Sequence, residues 1–201
     1  IYDADFVPRG SEGWLLKPRR GAGSRGIEIF ANAEDLLRRP RDPSLLAQAL
    51  LPGREYSADL FRSRDGATMS VVVRTRTRTD SGVSTMSEVV HDAEIDAASR
   101  KIADALGLIG VNNVQFKRDP DGNPRLLEIN PRVPGGLPLS IAAGCDLPWY
   151  TYLDAMGQEL PKPPEPKRMV MLRTLANHFR PAESMPAYAL SEPVAANSGA
   201  A

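Results

Sequence analysis

The chain has 201 residues, and its 25 Lys and Arg balance its 25 Asp and Glu. A composition of 42% hydrophobic and 25% charged residues is that of a globular chain, long enough for one domain or two small ones. Balanced charge excludes a bulk attraction to nucleic acid or anionic membrane, the single Cys145 excludes an internal disulfide, and no apolar run reaches the ~18 residues of a membrane-spanning helix. A chain without disulfides suits a reducing cytoplasm.

Residues 14–17 read as a short strand, 18–26 as a glycine- and arginine-rich loop, and 27–30 as a second strand by their alternation. Asn32 predicts an N-cap for a short helix to about residue 39, with Glu34 and Asp35 in its first turn and Pro40 ending it. An apolar run at 45–51, interrupted by Gln48, leads into the turn signal Pro52-Gly53 and a strand at 55–61. Residues 69–79 alternate as one extended segment, which would set Arg74, Arg76 and Arg78 on one face.

Asp92 predicts the N-cap of a helix through residue 106, with Ile95, Ala98, Ile102, Ala105 and Leu106 in its apolar stripe and Gly107 as its stop. Strands at 111–117 and 125–130 flank a turn. Short helices follow at 138–144 and 148–156, then a proline-rich linker at 160–167, a last strand within 169–179 and an Ala/Ser/Pro-rich tail. Because most strands come as hairpins, the expected class is α+β with an antiparallel sheet and flanking helices.

Gly21-Ala22-Gly23-Ser24-Arg25-Gly26 spells G-x-G-x-x-G. A dinucleotide fingerprint needs a helix to follow, and here a strand pattern follows; a Walker loop needs a Lys-Ser/Thr pair, which is missing. A β-hairpin flap closing amide N–H groups over polyphosphate fits, with Lys17 at its base supplying charge. A plain polar turn fits as well, and the segment alone leaves both open.

If the turn between the later strands centres on Asp121-Gly122, Gln115 falls opposite Glu128. Glu128 and Asn130 lie two apart and so leave the strand on one face. A carboxylate and two side-chain amides form an all-oxygen patch of the kind Mg²⁺ accepts beside phosphate and water. Asn130-Pro131-Arg132 then sets a guanidinium next to it, suited to a phosphoryl group. The plain alternative is a solvated hairpin face.

Four stretches together resemble the ATP-grasp superfamily, in its carbamoyl phosphate synthetase-like branch of carboxylate–amine ligases. They are Lys17-Pro18 with residues 21–26; residues 48–57; Asn113-Val114-Gln115-Phe116; and Glu128-Ile129-Asn130-Pro131-Arg132. The resemblance implies an ATP-grasp core with a small subdomain at 1–50 that carries the glycine-rich lid. A larger subdomain at 51–160 would carry the metal and phosphate site, and 161–201 would hold the linker, last strand and tail. It implies that Lys17, Gly21, Gly23, Ser24 and Gly26 hold ATP phosphates, that Gln48 and Leu50 edge the adenine, and that Glu55 takes the ribose. Glu128 and Asn130, with Gln115 as ligand or near neighbour, would hold Mg²⁺ or Mn²⁺, Arg132 would stabilise the transferring phosphoryl group, and Arg74, or Arg76 by strand alternation, would hold the substrate carboxylate or phosphate.

The chemistry so implied is ATP-dependent activation of a small-molecule carboxylate as an acyl phosphate, attacked by an amine or ammonia. Nucleic acid and membrane are not expected partners, and a homodimer is compatible. Neither His91 nor His178 is needed as a base. Relatives carry further nucleotide-binding elements upstream, whereas 16 residues precede Lys17 here, so a missing N-terminal domain is expected. A non-catalytic nucleotide-binding fragment is the competing expectation.

Overall fold

The computed structural model describes residues 1–9, 13–21, 25–80 and 83–174; Gly23, Ser24 and His178 lie outside them. The elements in chain order are β1 (Trp14–Pro18), β2 (Glu28–Phe30), α1 (Ala33–Arg38), β3 (Leu45–Ala49), β4 (Glu55–Arg62), β5 (Thr68–Thr75), β6 (Arg78–Asp80) and β7 (Val83–Glu88). They continue with α2 (Ala93–Leu106), β8 (Gly110–Arg118), β9 (Pro124–Asn130), α3 (Leu137–Ala142), α4 (Leu147–Ala155) and β10 (Val170–Leu172). Among the described residues the strands form three antiparallel sheets, ordered β2-β1-β3, β5-β4-β8-β9 and β10-β7-β6. The α+β expectation therefore holds.

The first sheet buries Trp14 and Leu16 against Leu36 of α1, with Leu45 and Tyr2 in the same cluster. Asn32 caps α1 as its position predicts, its side-chain oxygen accepting from the Asp35 amide at 2.8 Å. Tyr2 closes the other end of α1, donating its hydroxyl to the carbonyls of Leu36 and Arg39 at 2.5 and 2.7 Å. The sequence pattern assigned these first residues no packing role.

The four-stranded sheet has two unlike faces. One is apolar: Ala58, Leu60, Val71, Val73, Val114 and Phe116 pack on Ile95 and Ala103 of α2. Burial of each large side chain contributes roughly 1.5–3 kcal/mol. Asp92 caps α2 by accepting from the Ile95 amide, and Gly107 ends it at φ +60, a conformation that suits glycine. The opposite face buries Phe61 and Val72 beneath Leu137, Leu139, Leu147 and Tyr150 of α3 and α4, and is polar elsewhere.

Two expectations are corrected. The segment at 69–79 is not one strand. β5 ends at Thr75, the Arg76 amide still donates to Glu55 of β4, and the Thr77 amide donates to Met86 of β7, so the chain changes sheets there. Arg74, Arg76 and Arg78 consequently have different surroundings: Arg74 is buried, Arg76 is half-buried against Glu55, and Arg78 is exposed. No common basic face results. Second, the hairpin turn does not centre on Asp121-Gly122. Arg118 pairs with Pro124 and Phe116 with Leu126, and a bulge then shifts the register so that Gln115 does meet Glu128.

Gly53 ties the end of the β3–β4 connection to the hairpin, its amide donating to the Arg118 carbonyl at 3.1 Å. A Cβ there would lie 2.5 Å from that carbonyl oxygen, which is backbone and has little room to yield. Gly53→Ala is expected to destabilise the fold by about 1–3 kcal/mol. Urea unfolding measures this, and an unchanged midpoint would mean that the close approach does not persist in solution.

Candidate functional site

The strand register assembles the polar face of the second sheet row by row. Arg74, Ser57, Gln115 and Glu128 form one row across β5, β4, β8 and β9. Val72, Asp59, Asn113 and Asn130 form the next. Glu55 lies two residues before Ser57 and so shares this face.

At the β9 end the groups face solvent. The Asn130 amide nitrogen donates to Glu128 Oε1 at 2.8 Å, while its oxygen accepts from Arg132 Nη2 at 3.3 Å. Arg132 is held by its own tight turn, in which its amide donates to the Asn130 carbonyl at 2.8 Å. Gln115 donates to Asn113 Oδ1 at 3.2 Å, which leaves its own oxygen available. Among the described residues no three His, Cys, Asp or Glu gather as a metal cage. The donor chemistry here is one carboxylate with two amide oxygens, which fits a hard cation that keeps water and phosphate in its shell.

Toward β5 the same face closes over. Arg74 is 2% exposed and Asp59 is fully buried; Nε and Nη2 of Arg74 donate to the two Asp59 oxygens at 3.0 and 3.1 Å. Ser140 of α3 donates to Asp59 Oδ2 at 2.8 Å and Asn113 donates to Oδ1 at 2.7 Å, while Arg74 Nη1 reaches Ser84 of β7. Gly136 lies directly against the guanidinium, where a Cβ would fall 2.3 Å from Arg74 Cζ. The buried junction thus joins four strands and α3 behind the exposed site.

In the first sheet, Lys17 lies opposite Leu46 and Leu15 opposite Gln48, so Lys17 and Gln48 share the face turned away from Trp14 and Leu16. Leu50 follows β3, its amide donating to the Gly13 carbonyl at 2.8 Å. Gly21 and Gly26 flank the loop between the antiparallel β1 and β2; Gly26 has φ +70. Glu55 is not free: its carboxylate holds Arg76 Nε at 2.5 Å. The residues expected to act on nucleotide therefore fall on two sheets, Lys17 and Gln48 on one and Glu55, Gln115, Glu128 and Asn130 on the other.

Asp119 anchors the hairpin that carries Gln115 and Glu128. Burial pushes its carboxyl up, but the Asn123 amide and the Arg125 guanidinium outweigh this and hold it below the usual carboxylate value. Burial pushes the Cys145 thiol up, which makes it a poor nucleophile. The local pattern missed Asp59, Asn113 as a network member, and Ser140. One signal for Asp59 existed: a lone charge inside the run Ala58-Asp59-Leu60-Phe61.

A family model described as ATP-grasp in the biosynthetic pathway with Ter operon matches residues 41–178. No curated protein sequence matches the chain. Among solved structures, the N5-carboxyaminoimidazole synthetase of Staphylococcus aureus complexed with ADP is similar, with a TM-score of 0.65 at 20% identity over 81% of this chain and 46% of that one. The biotin carboxylase domain of the Hydrogenobacter thermophilus 2-oxoglutarate carboxylase, in complex with MgADP and bicarbonate, gives a TM-score of 0.58 at 20% identity over 73% of this chain and 37% of that one. The Campylobacter jejuni biotin carboxylase gives 0.59 at 18% identity over 74% and 38%. The likeness shows a shared ATP-grasp fold, and the chain spans less than half the length of these proteins.

Proposed function

The chain belongs to the family described as ATP-grasp in the biosynthetic pathway with Ter operon, and from that premise we propose that it is the phosphate- and metal-binding part of an ATP- and Mg²⁺-dependent ligase. The reaction is activation of a small-molecule carboxylate as an acyl phosphate for attack by an amine or ammonia. The observation that carries this reading is the one-face array of Gln115, Glu128 and Asn130 with Arg132 bonded to it. Support comes from the ADP and MgADP complexes named for the similar structures.

Glu128, Asn130 and Gln115 would hold the cation, Mg²⁺ or Mn²⁺, which when bound supplies positive charge to the phosphate oxygens. Arg132 presents a fixed fork of N–H donors to the transferring phosphoryl group. Lys17 and the loop between Gly21 and Gly26 cover the phosphates, and Gln48 and Leu50 edge the base. A carboxylate oxygen attacks the γ-phosphorus, and the bond to ADP breaks with its electron pair leaving on ADP. The amine then attacks the acyl carbon and inorganic phosphate leaves. Such chemistry rests on positioning and charge neutralisation and needs no nucleophilic side chain, in keeping with the buried Cys145.

The competing reading is a domain that binds nucleotide without turning it over. The ion pair of Glu55 with Arg76 bears on both readings alike, since a ribose contact from Glu55 would first have to break it. ADP binding separates both readings from neither. At about 100 times its dissociation constant, ADP with Mg²⁺ should stabilise the chain by roughly 2.7 kcal/mol. A thermal midpoint that rises with ADP only when Mg²⁺ is present is the expected result. A midpoint that stays put at saturating ADP and Mg²⁺ would sink the nucleotide site, and carboxylate-dependent phosphate release would decide between ligase and binding domain.

A further inference from the structure

Asn113 stands between the buried junction and the exposed array, and its hydrogen bonds run from one to the other. Its side-chain nitrogen donates to Asp59 Oδ1 at 2.7 Å and to Ser57 Oγ at 2.6 Å, while its oxygen accepts from Gln115 Nε2 at 3.2 Å. We propose that Asn113 is a positioning residue that turns the oxygen of the Gln115 amide toward the cation. The cation itself rests on the ligase reading above.

An amide side chain has two ends of similar shape, and its partners decide which end points where. For Asn113 the deciding partner is Asp59. A carboxylate only accepts, and this one is held by two hydrogen bonds from Arg74 and a third from Ser140. Asn113 turned end for end would press its oxygen against a carboxylate oxygen. No water could relieve that clash, because Asn113 is 2% exposed and Asp59 and Ser57 are fully buried. With its nitrogen committed to Asp59 and Ser57, Asn113 can offer Gln115 only an oxygen. Gln115 answers with its nitrogen, so its own oxygen is the end left for the open site. The strand register makes the path short: Asn113 lies opposite Asp59, and Gln115 lies two residues along the same face, opposite Ser57.

Asn130 provides the contrast. Its amide is also oriented, by Glu128 on its nitrogen and Arg132 on its oxygen, but both partners are exposed. A cation and a phosphate would engage those same two groups, so they cannot hold the Asn130 amide unchanged while the site fills. The path behind Gln115 is buried and has no such competitor. An oxygen aimed before binding also avoids the entropy loss of ordering a free Gln side chain when the cation arrives.

The test begins on the metal-free full chain. Side-chain NH₂ resonances of the ¹⁵N-labelled protein report exchange with solvent, with the Gln115 pair identified by its loss in Gln115→Ala. One protected Gln115 hydrogen is expected, and Asn113→Ala should lower its protection about tenfold or more. Exchange as fast as in free glutamine overturns the proposal on the unsubstituted chain alone, even if Asn113→Ala fails to fold. Calorimetry of ADP at a series of Mg²⁺ concentrations gives the second readout. Asn113→Ala should raise the Mg²⁺ needed for half-maximal ADP binding about tenfold. In a Gln115→Ala background the same substitution should shift it less than about twofold, because the residue it acts through is gone. Ser57→Ala removes a buried partner of Asn113 but leaves the path from Asp59 to Gln115 intact, so its shift should also stay below about twofold. An Asn113 effect of equal size with and without Gln115, or matched by Ser57→Ala, would mean a general loosening of the sheet and overturns the proposal. If ADP binds at no Mg²⁺ level while the Gln115 hydrogen is protected only when Asn113 is present, the ligase reading falls and the amide orientation stands.

Discussion

Asp59→Ala is expected to cost about 3–5 kcal/mol of stability, because it leaves the Arg74 guanidinium buried without a counter-charge. The two side chains are 0% and 2% exposed and meet through two hydrogen bonds, so water cannot readily replace the lost carboxylate. Ser140 and Asn113 lose their acceptor at the same time. Total stability for a domain of this size is about 5–15 kcal/mol, so the variant sits near the edge of folding. Asp59→Asn keeps the shape and part of the hydrogen bonding and should lose less, which gives a measurable point if alanine fails to fold. Replacing both partners by apolar residues, Asp59→Leu with Arg74→Met, should cost less than either single removal, because no charge is then left buried. Urea unfolding of the unsubstituted chain, Asp59→Leu, Arg74→Met and the double variant closes the cycle. A cost below about 1 kcal/mol for Asp59→Ala would mean that the guanidinium escapes to solvent.

The same junction explains what the sequence could and could not convey. Helix caps are local devices, and Asn32, Asp92 and Gly107 act where their positions predict. The facing of Gln115 and Glu128 was legible, although through compensating features. A turn longer than two residues moves the register one way, and the bulge beside Phe116 moves it back. Arg74 was legible as a strand residue but not as a buried one. Strand alternation says which face a side chain takes, not whether another layer covers that face, and the partner Asp59 lies 15 residues away. β7 escaped because its inward residues Ser84 and Ser87 are buried yet polar, so no apolar alternation marks it. Arg173, just after β10, reaches the Gly135 carbonyl across 38 residues, beyond any periodicity.

Glu128→Ala, finally, is expected to abolish the Mg²⁺ dependence of ADP binding while changing stability by no more than about 0.5 kcal/mol, as befits an exposed side chain. Glu128 is the one carboxylate among the three oxygen donors, and a hard cation draws most of its attraction from formal charge. Glu128→Gln keeps an oxygen in place but removes that charge, so partial metal dependence at raised Mg²⁺ is expected. Arg132→Ala should behave differently. On the proposed reading its fork meets charge that develops during transfer, so carboxylate-dependent turnover should fall about 10²–10³-fold with ADP affinity changed far less. Asn130 links the two residues, donating to Glu128 and accepting from Arg132, so each variant also frees one end of its amide. The discriminating measurement is therefore a pair of titrations, ADP against Mg²⁺ and turnover against carboxylate, on the same two variants. Loss of Mg²⁺ dependence in Glu128→Ala alone, with loss of turnover in both, fits cation and phosphoryl sites that are adjacent but distinct. Equal loss of ADP affinity in both variants would instead make Arg132 a ground-state ligand of the nucleotide. Retained Mg²⁺ dependence in Glu128→Ala would move the cation off this hairpin.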